Sequence, residues 1–198
     1  MHDPMQLPQD LPIPVQDGLA AHLLGLPMPV LELPSTHGGV MRVDQAPPGF
    51  KRLIIYAYPL TGLPGTDSPE GWEQIPGARG CTPESCSFRD LSSDFAANGA
   101  FVVGLSTQST HYQQEAVDRL HLPYPLLSDA SLQLTQALKL PTFQVELRPL
   151  HDGGGLRTLL KRLTLIVSRG MIENVFYPVF PPDRHADEVL SWVQKHRY

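Results

Sequence analysis

Apolar runs and amphipathic stretches alternate along the chain from residue 51 onward. The run 53–58 (LIIYAY) is short, apolar and rich in β-forming residues, and Pro59 follows it, which predicts a buried strand. The run 100–106 (AFVVGLS) predicts a second buried strand. A stretch with apolar residues every three or four positions follows each run, which is typical of a helix packed on one side. Strands that alternate with helices favour parallel pairing.

The first helix is predicted between Thr82, as its N-cap, and Asn98, where Gly99 provides a stop signal. Pro83 would occupy the first helical position. The predicted inner face of this helix carries Phe88, Leu91 and Phe95. The second helix is indicated by Tyr112, Ala116, Val117 and Leu120.

The remaining elements are shorter. Leu126 and Leu127 predict a short strand, and either Ser128 or Asp129 can cap a helix that ends before Pro141. The inner face of that helix is predicted to carry Leu134, Ala137 and Leu138. Runs 163–168 and 172–177 flank a turn at Arg169 and Gly170 and predict a β-hairpin. The last helix is predicted from Asp183, with Ala186, Val189, Leu190 and Val193 facing inward.

This order of elements predicts an α/β fold with a central mixed β-sheet and helices on both faces. Cys81 lies at the start of the first predicted helix, after the loop that leaves the first predicted strand. In open α/β sheets, ligands bind at the carboxyl ends of strands. The position of Cys81 therefore favours a functional role.

Charge and composition narrow the class of protein. The 198 residues include 15 Lys and Arg against 20 Asp and Glu, a net charge of −5, which argues against nucleic-acid or anionic-membrane partners. No secretory signal is recognisable near the start and no apolar stretch reaches the length of a membrane span, so we expect a cytoplasmic protein.

Proline and glycine are concentrated in two regions. Residues 1–18 include Pro4, Pro8, Pro12 and Pro14 and predict a flexible N-terminal arm, with the domain proper at 19–198. Residues 59–80 predict a long irregular loop, and loops of this length in compact domains are usually functional. Trp72 and Ile75 in this loop predict either a lid or a contact surface, and an exposed Trp72 would favour the latter.

Cys81 and Cys86 are the two cysteines of the chain. The start of a helix favours a thiolate at Cys81, because free backbone N–H groups and the helix dipole attract negative charge. In a regular helix, Cα atoms five residues apart lie roughly 8.6 Å apart, whereas a disulfide requires less than about 7 Å. A disulfide between these cysteines would therefore need local unwinding, and a transient disulfide that a dithiol protein reduces fits the spacing.

Two other interpretations of the cysteine pair stay open at this point. The thiols can lie near one another by chance, with Cys86 a small buried residue. Alternatively, thioredoxin-like copper carriers use two cysteines and a remote histidine, a role in which His185 could serve. The C-x4-C spacing differs from that of zinc ribbons, and the eight histidines form no paired ligand motif, so no metal or organic cofactor is predicted.

Several segments together resemble the peroxiredoxins of the bacterioferritin-comigratory-protein, or Q, type. They are YAYP at 56–59, GCTPESCSFRD at 80–90, VGLST at 103–107, PLLSD at 125–129, KRLTLIV at 161–167 and VLSWV at 189–193. The resemblance covers about residues 51–196 and implies a single thioredoxin-like peroxiredoxin domain. It implies a thiol peroxidase of hydrogen peroxide, and of organic hydroperoxides, that thioredoxin or a similar dithiol recycles.

The resemblance also implies roles for single residues. Cys81 would be the peroxidatic cysteine and Cys86 the resolving one, joined as an intramolecular disulfide. Arg162 would stabilise the thiolate and the charge that develops on the leaving oxygen; without the resemblance it would be interpreted as a surface cation. Pro59 would shape the pocket. The expected protein is a monomer or weak dimer.

One position departs from the family pattern. The family places a threonine or serine three residues before the cysteine, where this chain has Ala78, and its loop 59–80 is longer than usual. We expect Thr61, or alternatively Thr66, to supply the missing hydroxyl. Because of this departure, a redoxin-fold sensor or regulator without turnover remains an alternative to an enzyme.

Overall fold

The computed structural model describes residues 7–8 and 10–197. Its strands are β1 (Glu32–Pro34), β2 (Val40–Arg42), β3 (Arg52–Ala57), β4 (Ala100–Ser106), β5 (Leu126–Ser128), β6 (Thr142–Leu147), β7 (Gly155–Leu160), β8 (Leu163–Ser168) and β9 (Met171–Phe176). Its helices are α1 (Cys81–Asp90), α2 (Ser92–Ala97), α3 (Thr110–Leu120), α4 (Gln133–Leu138) and α5 (His185–Lys195). Short 3-10 turns lie at Trp72–Gln74 and Pro182–Arg184.

Five strands form the central sheet in the order β5-β4-β3-β8-β9. β3, β4 and β5 run parallel, whereas β8 and β9 are antiparallel to their neighbours, so the predicted mixed sheet is confirmed. Tyr56 pairs with Gly104 across the parallel strands. A Cβ on Gly104 would come within 2.9 Å of the Tyr56 ring and would overlap Leu126, so only glycine fits this position.

Side chains of the sheet alternate between two cores. Ile54 and Tyr56 face α1, α2, α3 and α5, while Leu53 and Ile55 face α4 and the segments before β3. The two faces arise because successive side chains of a strand point in opposite directions. Burial of large apolar side chains of this kind contributes about 1.5–3 kcal/mol each. The expectation of helices on both faces is confirmed.

The first helix differs from the prediction at both ends. α1 begins at Cys81, so Thr82 is its second residue rather than its N-cap. Gly80 precedes the helix in the left-handed region, with φ of 107°, and no side chain caps it. The helix stops at Asp90 and α2 begins after Leu91, where the sequence predicted one continuous helix. The inner face is as predicted, since Phe88 and Phe95 are fully buried and Leu91 packs against them.

The cap of α4 is confirmed, and one residue of its inner face is wrong. The carboxylate of Asp129 accepts hydrogen bonds from the backbone N–H groups of Leu134 and Thr135. Ala137 is exposed, and Thr135 is buried instead because its hydroxyl also donates to Asp129. A buried polar side chain at this position breaks the apolar pattern on which the prediction relied.

Two small sheets were missed by the sequence analysis. β1 pairs with β2, and β6 pairs with β7 as a hairpin, and no element was predicted in either region. The segment TFQVEL of β6 alternates apolar and polar residues, a signal of a half-buried strand that could have predicted it.

The predicted arm, residues 1–18, falls partly outside the described residues, because positions 1–6 and 9 are not described. Asp17 forms an ion pair with Lys161 at 2.7 Å and accepts a hydrogen bond from the Tyr177 hydroxyl. Gln16 donates to the carbonyl of Tyr177. The end of the arm therefore lies against the turn between β7 and β8 and against the segment that follows β9. No helix in the described ranges is both long and apolar enough to cross a membrane.

Candidate active site

Cys81 is the first residue of α1 and lies at the end of the long loop that leaves β3. Its side chain is 4% exposed. The first turn of a helix has backbone N–H groups without intrahelical partners and carries the positive end of the helix dipole. This position attracts negative charge toward the sulfur.

Arg162, the residue immediately before β8, contacts the same sulfur. Its Nη2 lies 3.2 Å from Cys81 Sγ and also donates to the carbonyl oxygens of Arg79 and Ala78, at 3.3 and 3.4 Å. The guanidinium is buried, so its charge is poorly screened by water. The prediction that Arg162 accompanies Cys81 agrees with this contact, and the interpretation as a surface cation is wrong.

Glu84 completes a buried chain of charges. Its carboxylate forms an ion pair with Nη1 of Arg162, and the side chain is completely buried. Burial raises the pKa of Glu84, and the positive charge of Arg162 opposes that rise. Burial by itself would lower the pKa of Arg162, but the charges of Glu84 and Cys81 outweigh it and hold that pKa above its usual value. The sequence motif at 80–90 includes Glu84 but gave no signal of this contact, because Arg162 is 78 residues away in the chain.

A narrow pocket of about 40 Å³ opens beside Cys81. Its lining combines the long loop, the start of α1 and one residue from the turn between β6 and β7. The lining residues are Leu60, Gly62, Leu63, Thr66, Asp67, Ser68, Pro69, Trp72, Ala78, Arg79, Gly80, Cys81, Thr82 and His151. A cavity of this size holds a molecule of a few non-hydrogen atoms, because one water needs roughly 10–15 Å³ on the same measure.

Of the two threonines predicted to supply the missing hydroxyl, only one lines the pocket. Thr66 lines the pocket, and its hydroxyl donates to the carbonyl oxygen of Leu63 at 2.6 Å. Thr61 and Pro59 are buried but are not among the described residues that line it. The backbone N–H and the hydroxyl of Thr61 both donate to Oε1 of Gln108, which draws this side chain toward β4. Thr66, and not the preferred Thr61, therefore lines the pocket that Cys81 also lines.

Cys86 lies in the same unbroken helix as Cys81 and is 6% exposed. Neither cysteine forms a disulfide with another described residue. Burial raises the pKa of the Cys86 thiol, and the nearby charge of Arg89 opposes this only in part. Because α1 is regular across both positions, the two sulfurs cannot bond until this part of the helix unwinds.

The long loop folds over the pocket. Trp72 is buried and packs against Val145, Leu147 and Leu159 of the β6–β7 hairpin. Its ring centroid lies 6.1 Å from that of Phe143. Since Trp72 is not exposed, the arrangement matches the predicted lid rather than the predicted contact surface.

His185 differs from its expected state. The copper-carrier alternative would require this side chain to be available to a metal, yet it is buried, and its Nε2 lies 2.8 Å from Oγ1 of Thr164. Nδ1 of the same ring faces the Glu188 carboxylate at 3.3 Å. Both ring nitrogens are thus engaged away from the cysteines. Among residues 7–8 and 10–197, no group of three or more His, Cys, Asp or Glu side chains could hold a metal ion.

Comparison with known proteins agrees with this geometry. The family model described as Redoxin matches residues 25–190. A Coxiella burnetii protein named as a peroxiredoxin bcp is 25% identical over 168 residues, which are 85% of this chain and 96% of that protein. The chloroplastic peroxiredoxin Q of Sedum lineare is 29% identical over 145 residues, and the match spans 73% of this chain but only 64% of that longer protein.

Solved structures give the same result for the fold. Peroxidoxin BcpB from Mycobacterium tuberculosis superposes with a TM-score of 0.67 at 26% identity, over 89% of this chain and all of that chain. Peroxiredoxin Q from Xanthomonas campestris superposes with a TM-score of 0.60 at 22% identity, over 95% of this chain and 99% of that one. The predicted thioredoxin-like architecture is confirmed. The chain belongs to the redoxin family, and its relatives there are peroxiredoxins of the bacterioferritin-comigratory-protein and Q type.

Proposed function

We propose that this protein is a thiol peroxidase in which Cys81 reduces hydroperoxides. The observation that carries the proposal is the contact of Arg162 Nη2 with Cys81 Sγ, at 3.2 Å, beside an open pocket. A thiolate is the reactive form of cysteine, and a buried guanidinium at this distance favours it. The same charge can stabilise the negative charge that moves onto the leaving oxygen.

In the proposed reaction, the Cys81 thiolate attacks the terminal oxygen of a hydroperoxide. The S–O bond forms while the O–O bond breaks, which oxidises the sulfur to a sulfenic acid and releases water or an alcohol. The sulfur of Cys86 then attacks that of the sulfenic acid: the S–S bond forms as the S–O bond breaks, and the sulfenic hydroxyl leaves as water with the proton of the Cys86 thiol. A dithiol protein such as thioredoxin reduces this disulfide by exchange and is itself oxidised.

Small hydroperoxides fit the pocket best. Its volume of about 40 Å³ accommodates hydrogen peroxide and the O–O group of a larger molecule, whose alkyl chain would extend toward the opening. The bacterioferritin comigratory protein of Xanthomonas campestris, a structural neighbour at 22% identity, is described as having alkyl peroxide reduction activity. We therefore propose hydrogen peroxide as the main substrate and small alkyl hydroperoxides as secondary ones.

Recycling needs both helix opening and an external reductant. Unwinding of α1 between Cys81 and Cys86 would bring the sulfurs together and would expose the disulfide to the partner. A reducing compartment such as the cytoplasm supplies dithiol proteins. We propose that the protein works there as a monomer or weak dimer, since the complete set of Cys81, Arg162 and Glu84 comes from one chain.

Mass spectrometry after one equivalent of hydrogen peroxide tests this function. We expect a loss of two hydrogens and a peptide that links Cys81 to Cys86. An accumulated sulfenic acid without a disulfide would remove Cys86 from the mechanism.

The replacement of the usual hydroxyl by Ala78, which is fully buried in the pocket lining, favours one second candidate. A redox sensor would form the same disulfide but would react with peroxide slowly and without turnover. The second-order rate constant of the wild-type thiol with peroxide distinguishes the two functions. A value no higher than that of free cysteine would support the sensor and contradict the peroxidase.

A further inference from the structure

The predicted N-terminal arm packs against the chain that leads into α1. We name the described residues of this arm the strap; they are 7–8 and 10–17. Leu7 lies beside Gly80, because a Cβ placed on this glycine would come within 3.0 Å of Cδ2 of Leu7. Pro14 lies beside Gly77, where a Cβ would come within 3.7 Å of Cβ and Cγ of Pro14. The proposed mechanism assigns no role to this segment.

The base of the strap is fixed to the body of the domain. Asp17 forms its ion pair with Lys161 at 2.7 Å, and its carboxylate also accepts hydrogen bonds from the Tyr177 hydroxyl and the backbone N–H of Leu19. Gln16 donates to the carbonyl of Tyr177 at 2.9 Å. Because Asp17 has several partners, the loss of one of them leaves the base in place.

Three contacts of the strap fall one residue before a residue of the candidate active site. They involve Gly77 before Ala78, Gly80 before Cys81 and Lys161 before Arg162. The carbonyl of Ala78 accepts from Arg162 at 3.4 Å, and the Cys81 thiol donates to the same carbonyl at 3.6 Å. The strap therefore contacts the segments that meet at the sulfur of Cys81.

The first turn of α1 depends on support from outside the helix. Gly80 occupies its N-cap position and has no side chain with which to cap the turn. Leu7 of the strap and Pro182 of the 3-10 turn before α5 pack against this glycine, since a Cβ on Gly80 would also overlap Pro182. The ends of a helix open more easily than its centre. Unwinding of α1 at Cys81 therefore moves Gly80 away from Leu7.

The middle of the strap is packed loosely. Ile13 and Val15 are exposed, and Leu7 is only partly buried. A cavity of about 230 Å³ is lined on one side by the strap and on another by loop residues 75–77. Segments with few buried apolar contacts open at low free-energy cost. The strap can therefore lift away from α1 while the rest of the domain stays folded.

We propose that the strap holds the first turn of α1 closed and thereby sets how fast the Cys81 sulfenic acid reaches Cys86. This inference rests on the proposed peroxidase function. While Leu7 is seated on Gly80, Cys81 stays in the helix and its sulfenic acid persists. When the strap lifts, the first turn unwinds and the disulfide forms.

The strap then also governs damage by excess peroxide. A sulfenic acid that persists can meet a second hydroperoxide molecule. That molecule transfers one oxygen to the sulfur and leaves as water or an alcohol, which gives a sulfinic acid. Slow release of the strap therefore favours the sulfinic acid over the disulfide.

The test compares L7S with I13S in the full chain. Both variants replace an apolar residue of the strap by serine, but Ile13 is exposed, whereas Leu7 lies against Gly80. Rapid-quench mass spectrometry after one equivalent of hydrogen peroxide follows the sulfenic acid and the disulfide separately. We expect L7S to form the disulfide about fivefold faster than the wild type, the change in an opening equilibrium that the loss of one weak contact produces.

The other steps provide internal controls. L7S should form the sulfenic acid at the wild-type rate and should accumulate less sulfinic acid in excess peroxide, while I13S should match the wild type in every step. D17A is a second variant, because it removes the bonds at the base of the strap without a change in α1, and it should also speed disulfide formation. Disulfide formation at the wild-type rate in both L7S and D17A would overturn the proposal. Slower formation of the sulfenic acid in L7S would overturn it too, since the strap would then position the thiolate.

Hydrogen exchange separates a failure of the strap from a failure of the peroxidase. In the reduced protein without peroxide, the amide hydrogens at the start of α1 should exchange faster in L7S than in I13S. If the wild type does not react with peroxide but L7S shows this faster exchange, the peroxidase function fails and the strap is supported. Equal exchange in L7S and I13S would overturn the strap.

Discussion

Cys81 and Cys86 occupy the same helix, five residues apart, and are buried to nearly the same extent, yet their surroundings differ. Arg162 contacts the sulfur of Cys81, and Glu84 holds that guanidinium from the other side. At Cys86, burial outweighs the nearby charge of Arg89 and raises the thiol pKa. Two thiols of similar burial can therefore differ in chemistry, because the effect of a charge on a thiol depends on the distance between them, and Arg162 is in direct contact with Cys81.

The contrast also separates the two proposed roles. The attacking thiol needs a thiolate before substrate arrives, whereas the resolving thiol is needed only after the helix has opened. A protonated and buried Cys86 does not compete for peroxide in the folded state. The raised pKa at Cys86 thus fits a residue that acts second.

The largest expected effect on peroxide consumption comes from replacing each cysteine in turn by serine. C81S should abolish peroxide consumption, because Arg162 contacts the sulfur of Cys81, whereas burial raises the pKa of the remaining thiol of Cys86. C86S should form one equivalent of sulfenic acid at the wild-type rate and then stop in a thioredoxin-coupled assay. Peroxide consumption and intact mass measure the two outcomes. Sustained turnover by C81S would show that the two cysteines are equivalent.

The second-largest effect on the oxidation rate of Cys81 is expected when the buried positive charge of Arg162 is removed. R162M should slow oxidation of Cys81 by about 10²–10³-fold, the usual effect of removing one group that stabilises developing charge. Alkylation of Cys86 should not change. Because R162M leaves Glu84 buried without its partner, we expect a loss of about 3–5 kcal/mol in the free energy of unfolding.

The double variant R162M/E84Q provides the control for that stability loss. It removes both charges, so denaturant unfolding should show most of the lost stability restored while oxidation of Cys81 remains slow. A double variant that recovers both stability and rate would assign the effect of Arg162 to folding alone.

The pH dependence of Cys86 alkylation further distinguishes the two cysteines. Its pKa is raised above the ordinary value of 9.0, so below that value its thiolate fraction rises about tenfold per pH unit. In C81S, alkylation of Cys86 by iodoacetamide should therefore increase steadily from about pH 7 to pH 9 without a plateau. A plateau in this range would show that the Cys86 thiol ionises more easily than its burial implies.

The smallest expected effect concerns the helix between the two cysteines. The hydroxyl of Tyr124 donates to the carbonyl of Ser85 at 2.7 Å, which stabilises the closed helix. Y124F should cost about 1 kcal/mol, and an equal reduction in the cost of opening should speed disulfide formation about fivefold. Rapid-quench mass spectrometry measures this rate. Y177F is the matched control, because that hydroxyl binds Asp17 on another part of the surface. An unchanged rate in Y124F would show that this bond does not limit opening.

Much of the fold was predictable from local sequence patterns. The buried strands β3 and β4, the hairpin β8–β9 and the inner face of α5 each have a periodicity that spans the whole element. The break between α1 and α2 was not predictable, because Leu91 continues the apolar pattern while its backbone leaves the helix. The β6–β7 hairpin was missed although TFQVEL of β6 alternates, because its partner GLRTLL does not alternate and gives no strand signal of its own.

The sequence by itself determined the sheet and its main helices, the position of Cys81 at a helix start, and the spacing that prevents a disulfide in an intact helix. Each of these depends on residues that are near one another in the chain. Only the tertiary structure decided that Thr66 rather than Thr61 lines the pocket, that Glu84 is a buried partner of Arg162, and that His185 is enclosed. Those contacts join side chains from separate elements, and long-range packing, which no local periodicity encodes, sets them.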